Sequence, residues 1–172
     1  MALIIEDGTN VTGASSFVTL AEARAFALAR GVTLSADDAT VEALVIKASD
    51  FLNQLEGEFQ GLRTTPNTQP LVFPRAGVYW LSYLVESNTI PGALKNAQCQ
   101  LVVDQAGGVD LQPVGTGAEI LEEMVGPIRT KFAPSGTNAA TPTLSTFYGF
   151  ISGLLAPGSS VTGGSINIEV AT

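Results

Sequence analysis

Residues 38–55 read DATVEALVIKASDFLNQL, and this stretch sets the class of fold. Val41, Leu44, Val45, Ala48, Leu52 and Leu55 recur at three- and four-residue spacing, which gives one apolar stripe on a helix. Glu42, Lys47 and Asp50 lie off that stripe. Ser35 or Asp38 is placed to cap the helix start, and Gly57 and Gly61 to end it. A helix with one apolar face needs other elements to cover that face, and the flanking sequence supplies them. Upstream, Thr19-Leu20-Ala21-Glu22 fits a capping box for a helix running to about Arg30 and stopping at Gly31. Downstream, Pro91 suits a first helical position, Leu94, Ala97, Leu101 and Val102 mark an apolar face, and Gly107-Gly108 closes that helix. A fourth helix opens at Thr141-Pro142, buries Leu144, Phe147, Tyr148, Ile151, Leu154 and Leu155, and stops at Pro157-Gly158.

Between these helices the pattern is different. Leu3–Ile5 is a short β-type run. Pro66, Pro70 and Pro74 break regular structure and hold Gln69-Pro70-Leu71-Val72-Phe73-Pro74-Arg75 extended. Tyr79-Trp80-Leu81-Ser82-Tyr83 is the richest aromatic patch in the chain. Residues 109–132 allow a helix over Ile120 to Val125 or a pair of strands. The interruption at Gly126-Pro127 and the alternation of Met124, Ile128 and Phe132 lean to strands. Residues 133–142 read as a loop. The chain closes on a Gly/Ser-rich tether followed by Ile166, Ile168 and Val170 alternating with polar positions, a strand pattern. The expected fold is mainly α: a small bundle of about four helices over residues 1–158, with short peripheral β-strands and an extended C-terminal strand in a tail over 159–172.

Composition narrows function. The chain has 172 residues and a formal net charge of −8, from 8 basic and 16 acidic side chains. Charged residues make up 14%, against roughly 25% in an average soluble domain. So little charge favours burial against partners. Arg24, Arg30, Lys47, Arg63, Arg75, Lys95, Arg129 and Lys131 are scattered, and only the last two form a close pair, beside Phe132. That is thin provision for neutralising phosphates. Cys99 is the one cysteine, so no intrachain disulfide forms and a reducing compartment is expected. The opening MALIIED has no basic region before an apolar run, so no secretory signal is expected. No apolar run reaches the ~18 residues of a membrane span.

Chemistry has few candidates. There is no histidine, hence neither the commonest general base nor the commonest metal ligand. Cys99 reads as a buried structural thiol rather than a nucleophile. Glu119, Glu122 and Glu123 read as a solvated face, and Asp37-Asp38 as acids at a helix start. No phosphate-binding glycine motif occurs. No enzyme activity, metal or cofactor is expected. Trp80 and Tyr83 fit a core or a subunit interface; base stacking is the weaker fit, because no Lys or Arg adjoins them.

Several segments carry a family resemblance. Ser16-Phe17-Val18-Thr19-Leu20-Ala21-Glu22-Ala23, followed by Ala29-Arg30-Gly31, is one. Ala48-Ser49-Asp50-Phe51-Leu52 is another. Phe59-Gln60-Gly61-Leu62-Arg63 with Gln69–Arg75 is the most specific. Ile90-Pro91-Gly92-Ala93-Leu94-Lys95-Asn96-Ala97, Val125-Gly126-Pro127-Ile128 and Phe147 to Pro157 complete it. Together, over residues 14–157, the chain resembles phage head–tail adaptors (connectors), commonly labelled DnaT-like single-stranded-DNA-binding proteins. Phe59 and Phe73 stand where that family usually carries Trp, and Tyr79–Tyr83 replaces an acidic turn.

The resemblance implies a structural adaptor. It would form a homo-oligomeric ring of about twelve subunits between a portal protein and a tail-completion or stopper protein. Double-stranded DNA would pass through the lumen without specific binding. It also implies a virion location after synthesis in the bacterial host cytoplasm. The alternative is the role in the label, a DnaT-like single-stranded-DNA-binding replication protein. Candidate partner-contact residues are Phe73, Arg75, Tyr79, Trp80, Tyr83, Ile166, Ile168 and Val170.

Overall fold

The computed structural model describes residues 3–111, 122–125, 128–131 and 144–159. Four helices dominate: α1 (Leu20–Leu28), α2 (Asp38–Gln54), α3 (Gly92–Ala106) and α4 (Ser145–Ile151). Short 3-10 turns follow α2 at Glu56–Glu58 and α4 at Ser152–Leu154. Three antiparallel two-stranded pairs complete the described residues: β1 (Leu62–Arg63) with β2 (Arg75–Ala76), β3 (Tyr79–Trp80) with β4 (Tyr83–Leu84), and β5 (Glu122–Val125) with β6 (Ile128–Lys131). The fold is mainly α, as the helical periodicities predict. The stretch around residues 122–131 takes its strand alternative, with Glu122 opposite Lys131 and Val125 opposite Ile128. The C-terminal strand expected at Ile166–Val170 lies outside the described residues.

Local chemistry explains the helix starts. At α1 the capping box forms in full: the Thr19 hydroxyl accepts from the Glu22 amide at 3.1 Å, and the Glu22 carboxylate accepts from the Thr19 amide at 2.7 Å. At α2 the cap is Asp37, between the two residues expected. Its carboxylate accepts from the Thr40 hydroxyl at 2.6 Å and the Thr40 amide at 3.0 Å, which holds its pKa below the ordinary carboxylate value. Asp38 beside it pairs with Arg24 at 2.6 Å. Pro91 caps α3 rather than opening it.

The core is where the helical stripes converge. Val41, Val45, Ala48 and Leu52 of α2 are fully buried, with Leu44 and Leu55 half-buried at the flanks. Phe51 meets Phe147 of α4 edge-on at 5.6 Å. Helix α3 is central and packs on α1, α2 and α4. A helix enclosed on three sides has no single apolar stripe, so the face read from Leu94, Ala97, Leu101 and Val102 is only part of what it buries. Gln98, Cys99 and Gln100 are buried as well. Gln98 shows how a polar residue is accommodated there. Its amide lies 3.0 Å from Ser16 Oγ, 3.0 Å from the Val45 carbonyl and 2.8 Å from Ser49 Oγ, while its oxygen accepts from the Phe17 amide at 3.0 Å. One side chain thus ties the N-terminal segment, α2 and α3 together, and every polar atom it buries is satisfied. Cys99 sits in the same layer, and burial pushes its thiol up to about 12, as suits an inert structural cysteine.

The N-terminal run Leu3–Ile5 forms no regular strand, only a single bridge from Ile5 to Ser16. It is fixed by Glu6, fully buried, whose carboxylate accepts from the amides of Gly8, Asn10 and Val11 at 2.8–3.0 Å. Charge-assisted bonds to three backbone donors replace the water that burial removes.

Candidate functional site

Two neighbouring segments, 60–76 and 79–84, contain five of the eight residues expected to meet a partner. The structure separates those five. Phe73 is fully buried and meets Phe59 edge-on at 5.4 Å. Arg75 is also buried: Nε donates to the Gln60 carbonyl at 2.8 Å, and a terminal nitrogen to the Gly61 carbonyl at 2.7 Å. Arg63 grips Glu56 with two bonds of 2.6 and 2.7 Å and reaches the Gln69 carbonyl at 2.7 Å. Gln69 in turn donates to the carbonyls of Leu71 and Pro74 at 2.8 and 2.9 Å. The proline-rich segment is therefore not an extended arm but a folded loop whose polar side chains bind its own backbone. Phe73 and Arg75 build the protein and are not presented at its surface. A bend of this kind rests on side-chain bonds to carbonyls two to fifteen residues away, which proline spacing does not encode.

The aromatic patch is the opposite case. β3 and β4 form a hairpin, with Tyr79 paired to Leu84 and Trp80 to Tyr83. Leu81 and Ser82 make the turn with φ of 47° and 71°. Positive φ at both central residues matches the twist of a two-residue hairpin, and Asn and Gly normally supply it. Leucine is an uncommon occupant of that region. Exposure reaches 79% at Tyr83, 77% at Leu81, 62% at Leu84 and 52% at Tyr79. Trp80 is the exception: its ring packs so closely on Gly153 that a Cβ there would come within 2.6 Å of Cζ3. The hairpin thus stands on one anchored indole and offers two tyrosines and two leucines to solvent, with Tyr79 and Leu84 on one face and Tyr83 on the face of Trp80. The aromatic count was legible in the sequence. The outward direction of Tyr79 and Tyr83, and the exposure of Leu81 and Leu84 with them, depend on Gly153, some seventy residues away. Ile166, Ile168 and Val170 lie outside the described residues.

Electrostatics around the site are quiet. Arg63 and Arg75, the basic residues nearest in sequence, are bound internally as above. Arg24 pairs with Asp38, Lys95 lies 3.8 Å from Glu22, and the Arg30 guanidinium sits 3.3 Å from the centre of the Phe26 ring. Among the described residues, Arg24, Arg30, Arg63, Arg75 and Lys95 thus already have partners within the chain. Among the described residues no group of three or more His, Cys, Asp or Glu is placed to hold a metal ion, and no helix is long and apolar enough to cross a membrane. An exposed aromatic ribbon without phosphate-binding charge can stack on flat groups and cover apolar ones.

A family model described as "Putative DnaT-like ssDNA binding protein" matches residues 1–171. The chain belongs to this family. No curated protein and no solved structure matches it. The DnaT-like match carries single-stranded-DNA binding in its description and no connector role, which overturns the head–tail adaptor expectation in favour of its alternative. The twelve-subunit ring, the portal and stopper partners and the virion location follow from the adaptor likeness alone.

Proposed function

We propose that this DnaT-like protein binds single-stranded DNA through the Tyr79–Leu84 hairpin, without catalysis, and that base stacking rather than phosphate neutralisation supplies most of the affinity. The observation that carries the reading is the pair of exposed tyrosines on a ribbon anchored by Trp80. Every base has a π-face, so an aromatic platform accepts single strands without regard to sequence, whereas a duplex keeps those faces covered.

The magnitudes make a specific demand. Each base–aromatic stack contributes about 1–3 kcal/mol, and the hairpin offers two tyrosines. A strand that wraps the ribbon to engage both gains about 2–6 kcal/mol, which reaches no tighter than the tens-of-micromolar range for one copy. Useful occupancy therefore requires neighbouring copies that also touch one another on the strand, so that binding is cooperative. A length series of labelled oligothymidylates, followed by fluorescence anisotropy, tests this. Apparent affinity should rise steeply with strand length and fall only slightly with added salt. Equal binding to a duplex of the same length, or none to any single strand, refutes the proposal.

A further inference from the structure

The hairpin does not hold its own position. Two strands of two residues each are far too small to be stable alone, so its pose must come from outside. On the indole side that support is Gly153. On the backbone side the Val85 amide donates to the carbonyl of fully buried Val78 at 2.9 Å, and Gln60 ties the first strand to the segment after α4. The Gln60 side-chain oxygen accepts from the Tyr79 amide at 3.0 Å. Its side-chain nitrogen donates to the carbonyls of Gly153 at 3.1 Å and Leu155 at 3.0 Å. Its main-chain amide donates to the Leu154 carbonyl at 2.9 Å, and its own carbonyl accepts from Arg75 Nε at 2.8 Å. Every polar group of Gln60 is thus engaged, and the partners come from the hairpin, the segment after α4 and the buried loop.

No other common side chain of this length does the same. An amide combines an acceptor and a two-proton donor at one end. A carboxylate would keep the bond to Tyr79 but face two carbonyls with no proton to give. An apolar chain would lose all three side-chain bonds. The next residue tightens the same joint: Gly61 has φ 67°, and a Cβ there would lie 2.1 Å from the Ala76 carbonyl oxygen. Position 61 is therefore restricted to glycine, and the Gln60 backbone has one path into the joint.

We infer that Gln60 is the positioning residue of the aromatic hairpin, fixing through Tyr79 the pose in which the hairpin presents Tyr79 on one face and Tyr83 on the other, and so its capacity to stack on bases. The role in binding rests on the proposed function; the role in holding the hairpin does not. The test is Gln60→Met, which keeps the chain length and removes the side-chain bonds. Two readouts report the pose without DNA: hydrogen exchange at the Tyr79 amide, and the emission of Trp80, the one tryptophan in the chain. Exchange at Tyr79 should quicken and Trp80 emission shift to the red, while amides of α2 and α3 keep their protection. Affinity for oligothymidylate should then fall by roughly two- to tenfold, because the ribbon must be ordered on binding.

A folded Gln60→Met protein with unchanged Tyr79 exchange and unchanged Trp80 emission overturns the inference. A moved hairpin with undiminished binding overturns its part in recognition. If the variant does not fold, the wild-type protein decides: a Tyr79 amide exchanging as fast as that of Ser82 contradicts the bond. If wild-type protein binds no single strand at all, the proposed function fails, and the exchange and emission results still judge Gln60.

Discussion

The loop over 69–75 and the hairpin over 79–84 are separated by three residues and obey opposite rules. In the loop every polar side chain is turned inward: Gln69, Arg75 and their neighbour Arg63 bind backbone carbonyls, and Phe73 is sealed against Phe59. In the hairpin the large side chains other than Trp80 are turned outward: Tyr83, Leu81, Leu84 and Tyr79 are each more than half exposed. A resemblance to known proteins is strongest in the first region, yet the surface able to meet a ligand is the second. The lesson is that a recognisable motif can mark the part of a fold that is hardest to rebuild. The surface proposed to bind lies instead where local rules are broken, here by apolar residues in water and by a leucine at positive φ.

The contrast is sharpest in stability. Phe73→Ala removes a fully buried ring and should destabilise the protein by about 3–5 kcal/mol, measured by urea denaturation. A loss within the range of surface substitutions would mean that the loop is not the structural region it is taken to be. Tyr83→Ala should do the reverse: stability changes by no more than about 0.5 kcal/mol, while single-strand binding weakens by about 1–3 kcal/mol in an anisotropy titration. Unfolding by Tyr83→Ala, or intact binding, would erase the distinction. The smallest effect tests the turn. Replacing Leu81→Asn together with Ser82→Gly supplies the residues that positive φ favours and should raise stability by about 0.5–1 kcal/mol, visible as a higher urea midpoint. No gain would mean that Leu81 is accommodated without strain.

Much of the fold was legible in the sequence, for identifiable reasons. The stripe on α2, the Thr19–Glu22 box and the glycines after α3 are local signals, and local signals determined those elements. Helix α3 was only half legible. Its Gln98 looks like a surface residue until Ser16, Val45 and Ser49 are brought round it from two other segments. The site divides in the same way. The aromatic patch could be seen as a composition feature, but not its direction, because that is set by Gly153 and by the bonds Gln60 makes to residues more than ninety positions away. Arg75 was misjudged because a lone arginine beside prolines gives no hint of the carbonyls waiting for it at Gln60 and Gly61. The acidic balance speaks against binding driven by phosphate contacts, and internal pairing of Arg24, Arg30, Arg63, Arg75 and Lys95 deepens that shortage; base stacking, which needs no cation, is what a charge total does not weigh.

The central claim, that bases stack on the hairpin, is tested most directly by photocrosslinking. A single strand carrying iodouracil, irradiated with the wild-type protein and digested, should label the peptide containing Tyr79 and Tyr83. Labelling confined to the Arg129–Lys131 segment, or crosslinks spread without preference, would contradict the account.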